Sequence, residues 1–157
     1  MCGIAGILSP DPQRINQALL KKMGDTLSHR GPDGEGIYEY HGSHLHLGFS
    51  HRRLSILDLT DAAAQPMRYM NRYVIVHNGE IYNYREIRET LQREGFAFRS
   101  QSDTEVIAAA YHHYGEDCLH HFDGMFAFAI WDEETEQLFC ARDRFGEKPF
   151  FYHFDHS

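Results

Sequence analysis

A cysteine directly after the initiator methionine is the first residue of this chain whose position carries a chemistry. Removal of Met1 ahead of a small second residue leaves Cys2 with a free α-amine. Such an amine has a pKa of about 7.7–8.0, so part of it is neutral at physiological pH and can take the proton of the thiol on the same residue. An N-terminal nucleophile of this kind needs no catalytic histidine. The plainer alternative is a small buried hydrophobe beside a frayed end. An acyl-transfer nucleophile also needs hydrogen-bond donors preset where negative charge develops. The Asn78 carboxamide and the Gly79 N–H, approachable because glycine has no Cβ, offer two. Asn-Gly is equally the commonest two-residue hairpin turn, and that reading stands beside the first. Arg52-Arg53 supplies guanidinium forks for a carboxylate, while Glu80 and Asp103 can accept from an ammonium group. The set describes a pocket for an α-amino acid, although spacing alone leaves open whether it converges.

The elements that must position these residues follow from periodicity. Gly3 to Leu8 is a short apolar run stopped by Ser9-Pro10-Asp11-Pro12, which predicts a buried strand. Ile15, Leu19, Met23 and Leu27 recur every four positions and predict a helix from Gln13 to about Leu27. The turn at His29–Gly34 is followed by alternating stretches at Gly36–Tyr40 and His44–Phe49, a hairpin, and by a strand-like piece from Arg53 to Leu59. Thr60–Pro66 reads as a loop, and Tyr73–His77 as a β-branched strand running into Asn78-Gly79. A helix over Tyr84–Glu94 ends at Gly95. Ser102 opens another, with Glu105 three residues on in the manner of a capping box. Met125–Trp131, Gln137–Ala141 and Phe150–Phe154 read as strands. Strands, then helices, then strands, without a βαβ rhythm, predict an α+β fold with mainly antiparallel sheet.

Composition narrows the function classes. The 157 residues carry 15 Lys and Arg against 23 Asp and Glu, a net charge of −8. That acidity, with no basic stripe, argues against nucleic acid as a partner. No apolar run reaches the roughly 18 residues of a membrane span, and no signal peptide is evident, so a cytoplasmic location is expected. Cys2, Cys118 and Cys140 are too few and too scattered for a disulfide framework. Phosphate-loop, dinucleotide and HExxH motifs are absent. His112-His113 and His120-His121 are the best metal candidates, but neighbours on a helix lie about 100° apart and converge poorly on one ion. No metal and no cofactor are expected.

Eight ordered blocks, MCGIAGI, HRGPD, RRLSILDL, AAQPM, HNGEIYN, SDTEVI, GMFAFAIWD and ARDRFGEKP, resemble the N-terminal glutaminase domain of glutamine-dependent asparagine synthetases. These are class II glutamine amidotransferases within the N-terminal-nucleophile hydrolases, and the resemblance spans practically the whole chain. It implies a four-layer αββα sandwich of two mainly antiparallel sheets. It also implies roles. Cys2, freed of Met1, attacks the side-chain amide of L-glutamine, and Asn78 and Gly79 form the oxyanion hole. Arg53, ahead of a Leu-Ser-Ile segment, binds the substrate carboxylate, with Arg52 as second choice, and Glu80 and Asp103 bind the ammonium. The HRGPD loop, with Arg30 and Asp33, shapes the site.

The family continues beyond its RDRFGxKP block into a synthetase domain that uses ATP and Mg²⁺ to activate aspartate, with an SGGxDS loop. No such motif occurs in residues 1–157. The resemblance therefore implies a glutaminase domain incomplete at its C-terminus, a synthetase domain as its partner, and a homodimer as one possible assembly. Sibling amidotransferases share the N-terminal cysteine, and a non-catalytic glutamine-binding module stands as the alternative.

Overall fold

Period-two alternation in the seven strands builds two antiparallel sheets whose buried faces meet. The computed structural model describes residues 1–55 and 60–155. The first sheet has the order β1-β3-β2, from β1 (Gly3–Ser9), β2 (Gly34–His41) and β3 (His46–Arg53). The second has the order β4-β5-β6-β7, from β4 (Met67–Tyr69), β5 (Tyr73–Ile81), β6 (Gly124–Asp132) and β7 (Gln137–Arg142). Helix α1 (Gln17–Thr26) lies on the outer face of the first sheet. Helices α2 (Tyr84–Arg93) and α3 (Asp103–Tyr114) cover the second sheet from its outer side. The result is the expected αββα layering.

Leu47, Phe49, Val74, Val76, Ala129 and Trp131 form the core between the sheets. A larger core lies between the second sheet and its helices, with Ile75, Phe128 and Ile130 against Leu91, Val106 and Ile107. Arg88 of α2 is buried and donates to the carbonyls of Ser100 at 2.7 Å and Ser102 at 3.0 Å, which fixes the start of α3 against α2.

Several elements differ from the sequence expectation. The first helix begins late, capped by Asn16, after a 3₁₀ turn at Pro12–Arg14. Its buried residues are Leu20 and Gly24, while Leu19 is exposed. A strict four-residue repeat advances by about 40° per step on a helix, so the expected apolar row winds off the buried face. Strand β3 runs on to Arg53, where a new strand was expected to begin; residues 56–59 of that piece lie outside the described residues. Ser102 does cap α3, accepting from Thr104 N–H at 3.1 Å. Glu105 does not close a capping box, because its carboxylate accepts from the N–H groups of Arg99 and Ser100. Phe150–Phe154 forms no strand; it pairs with no sheet edge, and Phe151, Tyr152 and Phe154 are exposed. The three-residue β4 falls between the expected Thr60–Pro66 loop and Tyr73–His77 strand, where no element was assigned.

His51, on the inner face of β3, is 1% exposed, and its Nε2 lies 3.3 Å from the His77 carbonyl. A carbonyl only accepts, so the ring is the neutral Nε2–H tautomer. Burial depresses its pKa from 6.5 to about 4, against the opposing pull of that hydrogen bond. The unfolded chain therefore binds the extra proton between about pH 6.5 and 4, and stability falls as pH falls through that window. The linkage amounts to about 3 kcal/mol. His77 is also buried with a lowered pKa and acts in the same sense, so the test is a difference. Urea midpoints of wild type and His51→Phe, followed from pH 7 to 4, are expected to show a flatter decline in the variant.

Candidate active site

Strand parity decides which side chains meet at one end of the sandwich. In an antiparallel pair, directly opposed residues point to the same face. Ile4 opposes His51, and two residues further along the same register Cys2 falls beside Arg53. Both share the inner face with Leu47 and Phe49, toward the second sheet. On β5, Val74 and Val76 face inward, and Asn78 and Glu80 follow at the same parity. One pocket of about 80 Å³ is accordingly lined by Cys2, Arg53, Asn78, Gly79, Glu80 and Asp103. All six residues singled out from the sequence are brought together.

The Asn-Gly pair is not a hairpin turn. Asn78 and Gly79 lie inside β5, opposite Ala127 and Phe126. Phe126 turns both its N–H and its carbonyl to Asp143 on the other side of β6, accepting from Asp143 N–H at 2.8 Å and donating to Asp143 Oδ2 at 3.2 Å. Gly79 and Phe126 are therefore a non-hydrogen-bonded pair, and the Gly79 N–H points away from β6, toward the edge that β4 covers only as far as Ile75. Along that edge His77 N–H donates to Gln65 Oε1 at 2.6 Å and Ile81 N–H to Asp103 Oδ2 at 3.0 Å. Between them, the Gly79 N–H has no protein partner among the described residues. Only glycine fits here: φ is +151°, and an added Cβ would lie 2.1 Å from the Met125 carbonyl oxygen. Asn78 is 3% exposed and keeps its side-chain oxygen without a protein partner.

The two arginines separate by the same parity. Arg52 points outward, donating to the Gly24 carbonyl at 3.1 Å and pairing with Asp25 and Glu35. Arg53 faces the pocket and donates to the Thr60 carbonyl at 3.0 Å. Asp103 is buried, with one oxygen on Ile81 N–H, and its other oxygen has no partner among the described residues. Glu80 is half-buried at the rim. The HRGPD loop holds backbone: Arg30 Nε donates to the Cys2 carbonyl at 3.1 Å, and Asp33 accepts from Ser55 N–H at 2.8 Å. Leu54 N–H lies 3.4 Å from the Cys2 sulfur.

Lys148 and Met1 also line the pocket, and sequence reasoning assigned neither a place there. The signal available was the ARDRFGEKP block, one of the eight blocks of the resemblance, in which Lys148 falls. His77, Gln65 and Thr104 form a buried support behind Asn78, with His77 Nδ1 at 3.1 Å and Gln65 Nε2 at 3.2 Å from the Thr104 hydroxyl. Among the described residues no group of three His, Cys, Asp or Glu side chains is placed to hold a metal ion.

Two facing antiparallel sheets flanked by helices, with a second-residue cysteine where their edges meet, define a sandwich of the N-terminal-nucleophile type. The solved glutamine phosphoribosylpyrophosphate amidotransferase from Bacillus subtilis, complexed with ADP and GMP, has this fold. It matches with a TM-score of 0.71 and 21% identity, over 91% of this chain and 37% of that one. The chain belongs to the glutamine amidotransferase domain family, whose model matches residues 1–157. Asparagine synthetase [glutamine-hydrolyzing] 1 of B. subtilis is 45% identical over 97% of this chain. A putative asparagine synthetase 2 of Methanocaldococcus jannaschii is 41% identical over 99% of it. The chain spans 24% and 32% of the lengths of these two relatives.

Proposed function

We propose that this domain hydrolyses L-glutamine to L-glutamate and ammonia, with Cys2 as nucleophile once Met1 is removed. The observation that carries the reading is the unpaired Gly79 N–H, set beside the buried Asn78 carboxamide in the pocket that Cys2 lines. The thiol proton passes to the α-amine of Cys2, and the sulfur adds to the amide carbon of glutamine. Negative charge develops on the former carbonyl oxygen, where Asn78 and Gly79 donate. The α-ammonium returns its proton to the departing nitrogen, ammonia leaves, and a γ-glutamyl thioester remains. Water attacks that thioester, releases glutamate and restores the thiol. Arg53 pairs with the substrate α-carboxylate, and Glu80 and Asp103 with its ammonium. The domain itself needs no metal or cofactor for this chemistry.

In the relatives' longer chains such a domain accompanies synthetase function, as their names record. We extend the proposal accordingly: the ammonia feeds ATP- and Mg²⁺-dependent asparagine synthesis from aspartate by a synthetase domain, in a cytoplasmic protein with a homodimer as one assembly open to it. No described helix is long and apolar enough to cross a membrane. Glutamate release measured with purified protein tests the central claim. Truncating one member of a desolvated charge pair costs about 2–5 kcal/mol. Arg53→Ala is therefore expected to raise KM for glutamine by about 10²-fold with a smaller change in kcat. An unchanged KM would remove Arg53 from carboxylate binding.

A further inference from the structure

The ARDRFGEKP block finds no use in the scheme above, yet it is built to aim one side chain. Asp143 is 5% exposed, and its carboxylate accepts from the N–H groups of Lys148, Glu147, Phe126 and Phe145. Burial alone would push its pKa up, but these four donors outweigh it and hold the carboxyl below its usual range. Arg142 adds a second clamp, donating to the Lys148 carbonyl at 2.5 Å and to the Gly146 carbonyl. Gly146 takes a φ of +66°, which turns the loop sharply enough for both clamps to close.

The clamped loop ends at Lys148, which is 4% exposed and lines the pocket with Cys2. A lysine normally extends its ammonium to water. Among the described residues Nζ has one hydrogen-bond partner, the Met1 thioether at 2.7 Å. A thioether is a weak acceptor for a group with three strong donors. That partner belongs to the residue whose removal exposes the Cys2 amine. Five covalent bonds separate Met1 Sδ from the Cys2 nitrogen, so Nζ stands within about 9 Å of that nitrogen.

We propose that Lys148 is a positioning residue whose fixed ammonium keeps the freed α-amine of Cys2 neutral and able to act as a base. The inference rests on the reading of Cys2 as an N-terminal nucleophile. Lys148 exchanges no proton: the thiol proton moves to the α-amine and from there to the departing ammonia, while the lysine stays charged throughout. Arg53 of β3 and Arg30, on the Cys2 carbonyl, add positive charge from other elements. Glu80 of β5 and Asp103 of α3 oppose it, until they are paired with the substrate ammonium. His77, which supports Asn78 from behind and borders the same pocket, is buried and has a lowered pKa. Asp143 and the exposed Glu147 lie on the lysine's own loop, with Asp143 consumed by backbone N–H groups. At this separation, with an effective dielectric of about 20, one like charge lowers the amine pKa by about one unit.

The test uses full-length protein whose loss of Met1 is verified by intact mass. Titration of the Cys2 α-amine, followed by NMR of isotope-labelled cysteine, is expected to show a midpoint below the 7.7–8.0 or so of an ordinary terminal amine. Lys148→Met should raise that midpoint by about one unit, and move the acidic limb of kcat/KM with it, while Lys148→Arg keeps the wild-type values. KM at pH above the limb should not change. A wild-type midpoint at 8 or higher overturns the proposal without any variant, which also decides the matter if Lys148→Met fails to fold. An unmoved titration with a raised KM overturns it in favour of direct contact between Lys148 and glutamine. The titration requires no turnover, so its failure is separate from failure of the nucleophile reading, which glutaminase activity surviving in Cys2→Ala would bring down.

Discussion

Cys2→Ala is expected to lose glutamate and ammonia release by at least about 10³-fold, because removing a covalent nucleophile leaves only the binding and oxyanion contributions. Cys2→Ser is also expected to lose most of the activity, since a thiol is intrinsically far more nucleophilic than the hydroxyl that would replace it in a site shaped for sulfur. Neither change should disturb the fold. Cys2 is only half-buried, and its sulfur makes long contacts of 3.4 and 3.7 Å to the Leu54 backbone. Thermal midpoints of both variants are therefore expected to match wild type and to rise on addition of glutamine, because Arg53, Glu80 and Asp103 remain in place. Retained Met1 should act like the substitutions. Its amide nitrogen in the Met1–Cys2 bond is no base, and its side chain fills part of the pocket beside Lys148. Active-site titration should thus track the Met1-free fraction read by intact mass. Turnover unaffected by Cys2→Ala would sink the assignment.

The α+β class was legible from local alternation, whereas the four-layer sandwich and the membership of the pocket came from the resemblance of eight ordered blocks, since spacing alone left convergence open. Alternation in Leu47, Phe49, Val74 and Val76 reports an inner face directly, and the same alternation carries Cys2, Arg53 and Asn78 onto it. Arg53 was put ahead of Arg52 by the resemblance, through the Leu-Ser-Ile segment that follows it, and strand parity accounts for that order. The Asn78-Gly79 pair was not legible as strand, because its hairpin preference is a property of short loops. Here nine residues of β5 pair with β6 and override it. The apolar spacing of the first helix misled because the chain there is 3₁₀ up to Arg14 and extended at Ile15. Lys148 was hidden for a different reason: an ordinary lysine in a turn is a surface residue. Only the clamps of Asp143 and Arg142 show that this one points inward. The role of Glu105 was likewise invisible, since a capping box and a carboxylate reaching back to Arg99 and Ser100 have the same sequence signature.

The oxyanion pair separates catalysis from folding. Asn78→Ala is expected to lower kcat by about 10²–10³-fold, the effect of deleting one preset donor, with little change in KM. Its effect on stability should be small or favourable, because the side-chain oxygen it removes is buried without a protein partner. Gly79→Ala should do the reverse first. Its Cβ would meet the Met125 carbonyl oxygen at 2.1 Å and the Phe126 Cα at 2.6 Å, in a backbone conformation of φ +151° that side chains rarely adopt. Backbone strain and overpacking each cost about 1–3 kcal/mol, so a loss of about 2–6 kcal/mol in the urea-derived stability is expected. Activity should then fall beyond the unfolded fraction, because β5 can relieve the clash only by moving away from β6, which displaces the Gly79 N–H from the point where it and Asn78 converge. Two outcomes would break this argument: Gly79→Ala with a wild-type midpoint would mean the strands are not so close, and Asn78→Ala with wild-type kcat would mean that its carboxamide does not hold the developing charge.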